Sequence, residues 1–332
     1  MAKYTIILPV KNGGSYVKEC VGSILSQTYS AFELVVLENS STDGTAEWLA
    51  TISDSRVTIL PAEKPLTIAE NWGRIIRVQK NEFMTLIGHD DVLLPHYLEE
   101  MERLIEKHPT ASLYQSHFSF IDATGEVIRH CLPMDEVQSA PELLACLTTR
   151  TLDSMGTGYM FRSKDYDALG GISPAYPDLL FADNVLWVSL AAKSYKVTTF
   201  RTCFLYRLHQ SLSRTTKGMD YYTSFTQYMK FLQKEVAENV AMKEVVERYG
   251  KTMLYELCEG VAHRLLKTPV AQRNLTVKQF VQECIGHASL LIPEQLFEPL
   301  SKKRIRMAVA IDENTFLRKL FQGFRKHYRK PI

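Results

Sequence analysis

Apolar residues come in short solid blocks separated by polar turns, and the blocks alternate with stretches of helical periodicity. "YTIILPV" (4–10) is a continuous β-branched run, as expected of a strand buried on both faces of a parallel sheet. The turn "KNGG" follows. Between Ser15 and Gln27, Val17, Val21, Ile24 and Leu25 then recur at helical spacing, and "FELVVLE" (32–38) reads as a second buried strand. This β-α-β pattern repeats through a helix near 44–53, the strand "RVTIL" (56–60), a helix near 67–80 and the strand "EFMTLI" (82–87). Such alternation predicts an α/β fold, Rossmann-like, with a mostly parallel central sheet and helices on both faces. Ligands of open α/β sheets bind beyond the carboxyl ends of the strands, and Asn12, the stretch Glu38 to Asp43, Asp90 and Asp91 all occupy such ends.

Further along, "ASLYQSHFSFID" (111–122) and "GTGYMFR" (156–162) read as strands, "ADNVLWVSLAA" (182–192) as a helix opening with Asp183, and 196–208 as strands closing the α/β part. Past about residue 215 the pattern becomes helical with few Gly or Pro. The expected division is a catalytic domain over 1–215 and a helical extension over 216–332.

Composition, 45% hydrophobic and 23% charged, is that of a soluble globular protein. The formal net charge of +2 hides an asymmetry: residues 301–332 carry ten Lys/Arg against two Asp/Glu, a tail of +8, so residues 1–300 sum to 2 − 8 = −6. An acidic bulk disfavours nucleic acid as a partner. The six cysteines are scattered without a C-x-x-C, which suggests reduced thiols and neither a zinc site nor a disulfide framework. No apolar run reaches the ~18 residues of a membrane span or has the form of a signal peptide, so the expected location is the cytoplasm.

The chemistry concentrates at "FMTLIGHDDVLLP" (83–95), where a buried strand ends in adjacent aspartates. Two carboxylates side by side repel, and burial without a cation raises the pKa of one of them. A solvated turn with Asp91 as a helix cap is the plain alternative. The first loop, "PVKNGGSYV", lacks G-x-G-x-x-G, and no G-x-x-x-x-G-K-[ST] occurs, which disfavours dinucleotide and P-loop sites. Glu38 and Asn39 offer acceptors for a base N–H or a ribose hydroxyl, whereas Asp43 and Gly44 read as capping and turn residues. Asp183 is read either as a helix N-cap or as a general base. Trp48, Trp72 and Trp187 read as core.

Taken in order, "ILPVKN", "SILSQTYSAFELVVLENSSTDGT", "GHDD" with "VLLP", "GTGYMFR…LGGIS…FADNVLW" and "YRLHQSLSR" (206–214) resemble the inverting family-2 glycosyltransferases of GT-A fold, of the bacterial surface-glycan type, over roughly residues 3–215. The resemblance implies that Asn12, Glu38 and Asn39 hold the nucleotide, with Pro9, Val10 and His89 beside them in the same motifs. It implies that Asp90 coordinates a divalent ion, Mn²⁺ or Mg²⁺, on the diphosphate of a UDP-linked sugar, and that Asp91 shares the metal or orients the site. His209 would be a further metal or diphosphate contact, and Asp183 the catalytic base. Gly88 stands where the family's D-x-D motif has its first aspartate, and Ala182 where a second acid often precedes the base. Arg74 is either a phosphate contact or part of a solvated helix face. The implied acceptor is a glycan or lipid-linked oligosaccharide. Two rivals are a sugar-nucleotide nucleotidyltransferase, disfavoured by the lack of a Gly-rich activation loop, and a non-catalytic glycan-binding protein of the same fold.

Finally, "TFLRKLFQGFRKHYRK" (315–330) places Phe316, Leu317, Leu320, Phe321, Phe324 and Tyr328 on one stripe among basic residues. It reads either as an interfacial helix docking residues 313–332 on an anionic inner membrane leaflet, or as a helix packed on the domain with a solvated basic face.

Overall fold

The structure is a computed structural model and describes residues 2–208 and 216–327. Its first compact unit runs to Pro174 and resumes from Ala182 through the last strand; its second comprises Ala175–Phe181 with the C-terminal helices.

In the first unit, β1 (Tyr4–Val10), α1 (Gly14–Leu25), β2 (Phe32–Glu38), α2 (Thr45–Leu49), β3 (Val57–Pro61), α3 (Ile68–Gly73) and β4 (Phe83–Leu86) follow the expected alternation. Every residue of β1 is buried, because it lies between β2 and β4 with both faces covered. Each large apolar side chain so buried contributes about 1.5–3 kcal/mol. The helix expected over 67–80 is shorter. A capping box at Thr67 and Glu70 starts it, and from Arg74 to Arg77 it tightens into a 3₁₀ turn.

The chain continues through β5 (Val92–Leu93), α4 (Tyr97–Lys107), β6 (Leu113–Ile121), β7 (Val127–His130), β8 (Val137–Gln138), α5 (Ala140–Thr149), β9 (Tyr159–Arg162), α6 (Ser163–Ala168), α7 (Ala182–Ala191) and β10 (Lys196–Arg207). The sheet order is β3-β2-β1-β4-β9-β6-β10-β5, with β7 on β6 and β8 on β10. A mostly parallel sheet was expected, but only β3-β2-β1-β4 and the β6-β10 pair are parallel. β9 enters between β4 and β6 antiparallel to both, and β5 runs antiparallel to β10. Strand direction depends on how a strand is reached. The helix α5 precedes β9, as a parallel crossover would require, so neither the connection nor the composition of this four-residue run reveals its sense.

In the second unit, helices Gly218–Glu238, Val240–Lys267, Val277–Leu291, Lys303–Glu313 and Thr315–His327 surround a core that includes Phe225, Leu254, Val261, Phe280 and Ile305. Phe181 stacks on Tyr228 with centroids 5.0 Å apart, and the Ser224 hydroxyl donates to the Pro177 carbonyl at 3.1 Å, which ties Ala175–Phe181 to this unit.

Candidate active site

The carboxyl ends of β1 and β2 are joined by interlocked loops. Asn12, at φ 54°, accepts from the Thr42 N–H at 2.8 Å and donates its own N–H to Ser41 Oγ at 2.9 Å. The Glu38 carboxylate accepts from the backbone N–H groups of Ser40 and Ser41 at 3.0 and 2.6 Å. The Asn39 amide exchanges two bonds with the Leu66 backbone, at 2.8 and 3.0 Å. Both Glu38 and Asn39 are buried, and so are Pro9 and Val10 inside β1. These side chains build the rim at the strand ends, and their acceptors already serve the loop.

Arg74 has neither of its expected roles. Its guanidinium donates to the carbonyls of Glu38, Leu60 and Pro61 and to Asn71 Oδ1, at 2.7–3.1 Å, clamping the ends of β2 and β3. Its donors face carbonyls, so no fork is left for a phosphate.

Beyond β4 the chain turns through Gly88, half-buried His89, Asp90 and Asp91 into β5. A Cβ on Gly88 would lie 2.8 Å from both Asp90 Oδ1 and Asp91 Oδ2, so the two carboxylates converge on the one residue that has no side chain. Asp91 is fully buried. Its Oδ2 accepts from the Thr157 hydroxyl at 2.9 Å and its Oδ1 from the Arg207 N–H at 3.0 Å. Burial, and next the charge of Asp90, push its pKa well above the carboxylate range. Each oxygen thus accepts one hydrogen bond, and together the two bonds fix the carboxylate in the turn. Asp90 is half-buried and keeps the exposed position of the pair.

The cation beside these aspartates is the chain's own. Arg207, buried at the end of β10, donates through Nε to the Asp90 carbonyl at 2.8 Å, through Nη1 to the Asp122 carbonyl at 3.0 Å and through Nη2 to Glu19 at 2.6 Å. One side chain thus braces the turn, α1 and the end of β6.

Asp183 lies in the first turn of α7. Trp187, one turn on, stacks on Tyr159 at 4.2 Å and donates Nε1–H to the Met155 carbonyl at 2.9 Å, which fixes the helix start against the segment leading into β9. A Cβ on Gly156 would lie 4.0 Å from Asp183 Oδ2, and the next residue is Thr157, the partner of Asp91. Asp183 Oδ1 accepts from the Asn184 N–H at 2.8 Å, yet burial dominates and raises its pKa.

Burial, and next the charges of Asp91, Asp90 and Asp183, push up the pKa of the Tyr206 hydroxyl. His209 lies outside the described residues. Among the described residues no group of three His, Cys, Asp or Glu side chains forms a metal cluster. Thr157 and Arg207 are not assigned these contacts by the sequence, although Arg207 lies in the "YRLHQSLSR" element quoted above.

The chain belongs to glycosyl transferase family 2, whose family model matches residues 5–170. Its fold is the GT-A fold of its structural neighbours. Among curated proteins it is 26% identical over 123 residues to glycosyltransferase GlyG of Streptococcus pneumoniae, covering 36% of this chain and 41% of that protein. It is 29% identical over 133 residues to glycosyltransferase GlyA of the same organism, covering 39% and 19%. The matches therefore span less than half the length of these relatives. Among solved structures, S. aureus TarS 1–349 in complex with UDP-GlcNAc superposes with a TM-score of 0.63 at 14% identity, over 99% of this chain and 94% of that one. The mannosyltransferase PcManGT of Pyrobaculum calidifontis, in complex with GDP-Man and Mn²⁺, does so with 0.51 at 13% identity, over 98% and 88%. At such identities the likeness is one of fold.

Proposed function

We propose that this enzyme is a metal-dependent inverting transferase that moves a sugar from a nucleotide-diphosphate donor, UDP-linked, to a glycan or lipid-linked acceptor in surface polysaccharide synthesis. The observation that carries the reading is that Asp90 and Asp91 converge on Gly88 while Asp183 lies beside Gly156, whose neighbour Thr157 donates to Asp91. In this reading the nucleotide lies against the rim formed by Asn12, Glu38 and Asn39, contacting backbone groups and whatever acceptor capacity those side chains retain.

The donor set fits a hard divalent cation. Two adjacent carboxylates, Asp90 and Asp91, suit Mg²⁺ or Mn²⁺, which are commonly held by one or two carboxylates together with substrate phosphates. When bound, the ion offsets the negative charge of the departing diphosphate. Asp183, with its pKa raised by burial, is suited to take the proton of an acceptor hydroxyl, since a base is most effective when its pKa lies closer to the working pH. Asp91 and Arg207 hold the turn that aims Asp90. His209 is retained as a proposed metal or diphosphate contact on the resemblance alone. The UDP-GlcNAc complex of TarS supports a UDP-linked donor, and the basic terminal helix supports work at the inner face of the cell membrane.

A thermal-shift screen of nucleotide sugars with and without Mn²⁺ tests this. A donor that binds the native state raises the melting temperature by mass action. Stabilisation by a UDP-sugar that deepens with Mn²⁺ is expected; no response to any nucleotide sugar under either condition would remove the reading.

A further inference from the structure

We propose that the helical unit carries a docking site for anionic phospholipid, in which the outward apolar face of helix Thr315–His327 enters the bilayer surface and an adjoining cationic cavity receives a headgroup phosphate. The inference concerns the second unit alone and does not depend on the chemistry assigned to the first.

The terminal helix is turned inside out for a helix packed on a domain. Arg318, Phe321 and Gln322 are half-buried, while Phe316, Leu320 and Phe324 are 67%, 55% and 59% exposed. Lys319 shares the exposed side. An apolar face directed outward with basic residues along it is the composition of helices that lie in a membrane interface.

Beside this helix is a cavity of about 290 Å³ lined by Lys217, Arg264, Lys267 and Arg325, with Thr268 and Gln272. Arg325 belongs to the terminal helix and donates Nη1–H to the Lys267 carbonyl at 2.8 Å, so cavity and helix are one surface. Arg264 lies over the Tyr221 ring at 4.2 Å. No carboxylate lines the cavity among the described residues. Arg264 and Lys267 do sit in the last turn of Val240–Lys267, where the helix dipole favours cations. That end carries only about half an elementary charge, and the uncapped N-terminus at Gly218, which also lines the cavity, opposes it with a similar amount. Partial burial, then Arg325 and Arg264, hold the Lys267 pKa down, a repulsion that a bound anion relieves.

A soluble phosphate would account for the cavity but not for the exposed apolar face. An apolar protein partner would account for the face but not for four convergent cations. An anionic bilayer satisfies both, with attraction falling off within a Debye length and so weakening with salt.

The test is sedimentation of the full chain with vesicles of phosphatidylcholine alone or mixed with phosphatidylglycerol. Binding is expected only to the mixed vesicles. Lys217→Gln and Lys267→Gln should each lower the partition coefficient roughly fivefold at low salt. Leu320→Ser with Phe324→Ser should release the protein, with melting temperature unchanged because these positions are exposed. The proposal is overturned by equal pelleting of variants and wild type, or by equal binding to phosphatidylcholine. It is also overturned if glycerol 3-phosphate binds in solution while vesicles do not, or if the serine variant instead dissolves a dimer with no vesicle binding.

Discussion

The Asp91 carboxylate and the Arg207 backbone are bonded to each other at 3.0 Å, while the Arg207 guanidinium returns to the carbonyl of Asp90 at 2.8 Å. The turn that presents the acidic pair is therefore gripped from the end of β10, far along the chain. Removing the charge of Asp91 without its shape tests this. In Asp91→Asn the amide oxygen can accept from Arg207 while the amide nitrogen donates to Thr157, so the fold should persist. Asp91→Leu leaves a buried hydroxyl and a buried N–H without partners, at about 1–3 kcal/mol each. Urea unfolding of the two variants should separate them by several kcal/mol; equal stabilities would show that the turn does not need this carboxylate.

Asp91 also has a signature in pH. Its folded pKa is raised above the unfolded value, so the folded state binds a proton that the unfolded state releases, and stability falls as pH rises from the unfolded pKa, about 3.9, toward the folded one. The Asn variant should lose that decline, which parallel unfolding curves across the acid range would reveal.

Replacing Asp183 with Asn should lower kcat by roughly 10²–10⁴ and leave donor affinity nearly intact. In the wild type, activity should climb with pH as the base ionises, with its acid limb above the ordinary carboxylate range because burial raises this pKa. Calorimetric titration of donor beside a pH–rate profile reads both. Retained turnover in the variant would take Asp183 out of the reaction.

Gly88→Ala should harm activity more than stability. The new methyl meets Asp90 Oδ1 and Asp91 Oδ2 at 2.8 Å, so Asp90 must move and the two bonds of Asp91 must adjust. A stability loss of about 1–3 kcal/mol with a far larger fall in kcat is expected. A fully active variant would mean that Asp90 has no fixed position to lose.

Lys196 offers a test away from the site. It is fully buried, its ammonium bonded to Gln138 at 2.8 Å and Thr198 at 2.7 Å, and burial lowers its pKa to about 7. Below that pH the folded state bears a buried charge. Between about 7 and the unfolded value near 10.4, only the unfolded state holds the proton, so stability rises with pH. Lys196→Met should stabilise the protein most at pH 6 and progressively less toward pH 10, as chemical denaturation at both ends would show; a constant difference would contradict this.

What could be read from sequence follows from what is local. The buried runs of β1, β2 and β4 and the helices between them declare themselves by composition and period, and the acidic turn declares itself by two adjacent charges. Arg74 and Arg207 do not. Each is one basic residue among many until the fold brings carbonyls around it. The same holds for Asn39, whose partner Leu66 stands on another loop, and for Thr157, which meets Asp91 only because β9 enters the sheet antiparallel.

The reciprocal amide pairing of Asn39 with Leu66, together with the left-handed turns at Asn12 and Ser40, has a thermodynamic corollary. A surface whose polar groups already satisfy one another arrives at an encounter with little freedom left to surrender, so ordering of this edge is settled when the chain folds. Differences in affinity among incoming nucleotides should then follow from fit against a fixed template, and little from reshaping of the template itself.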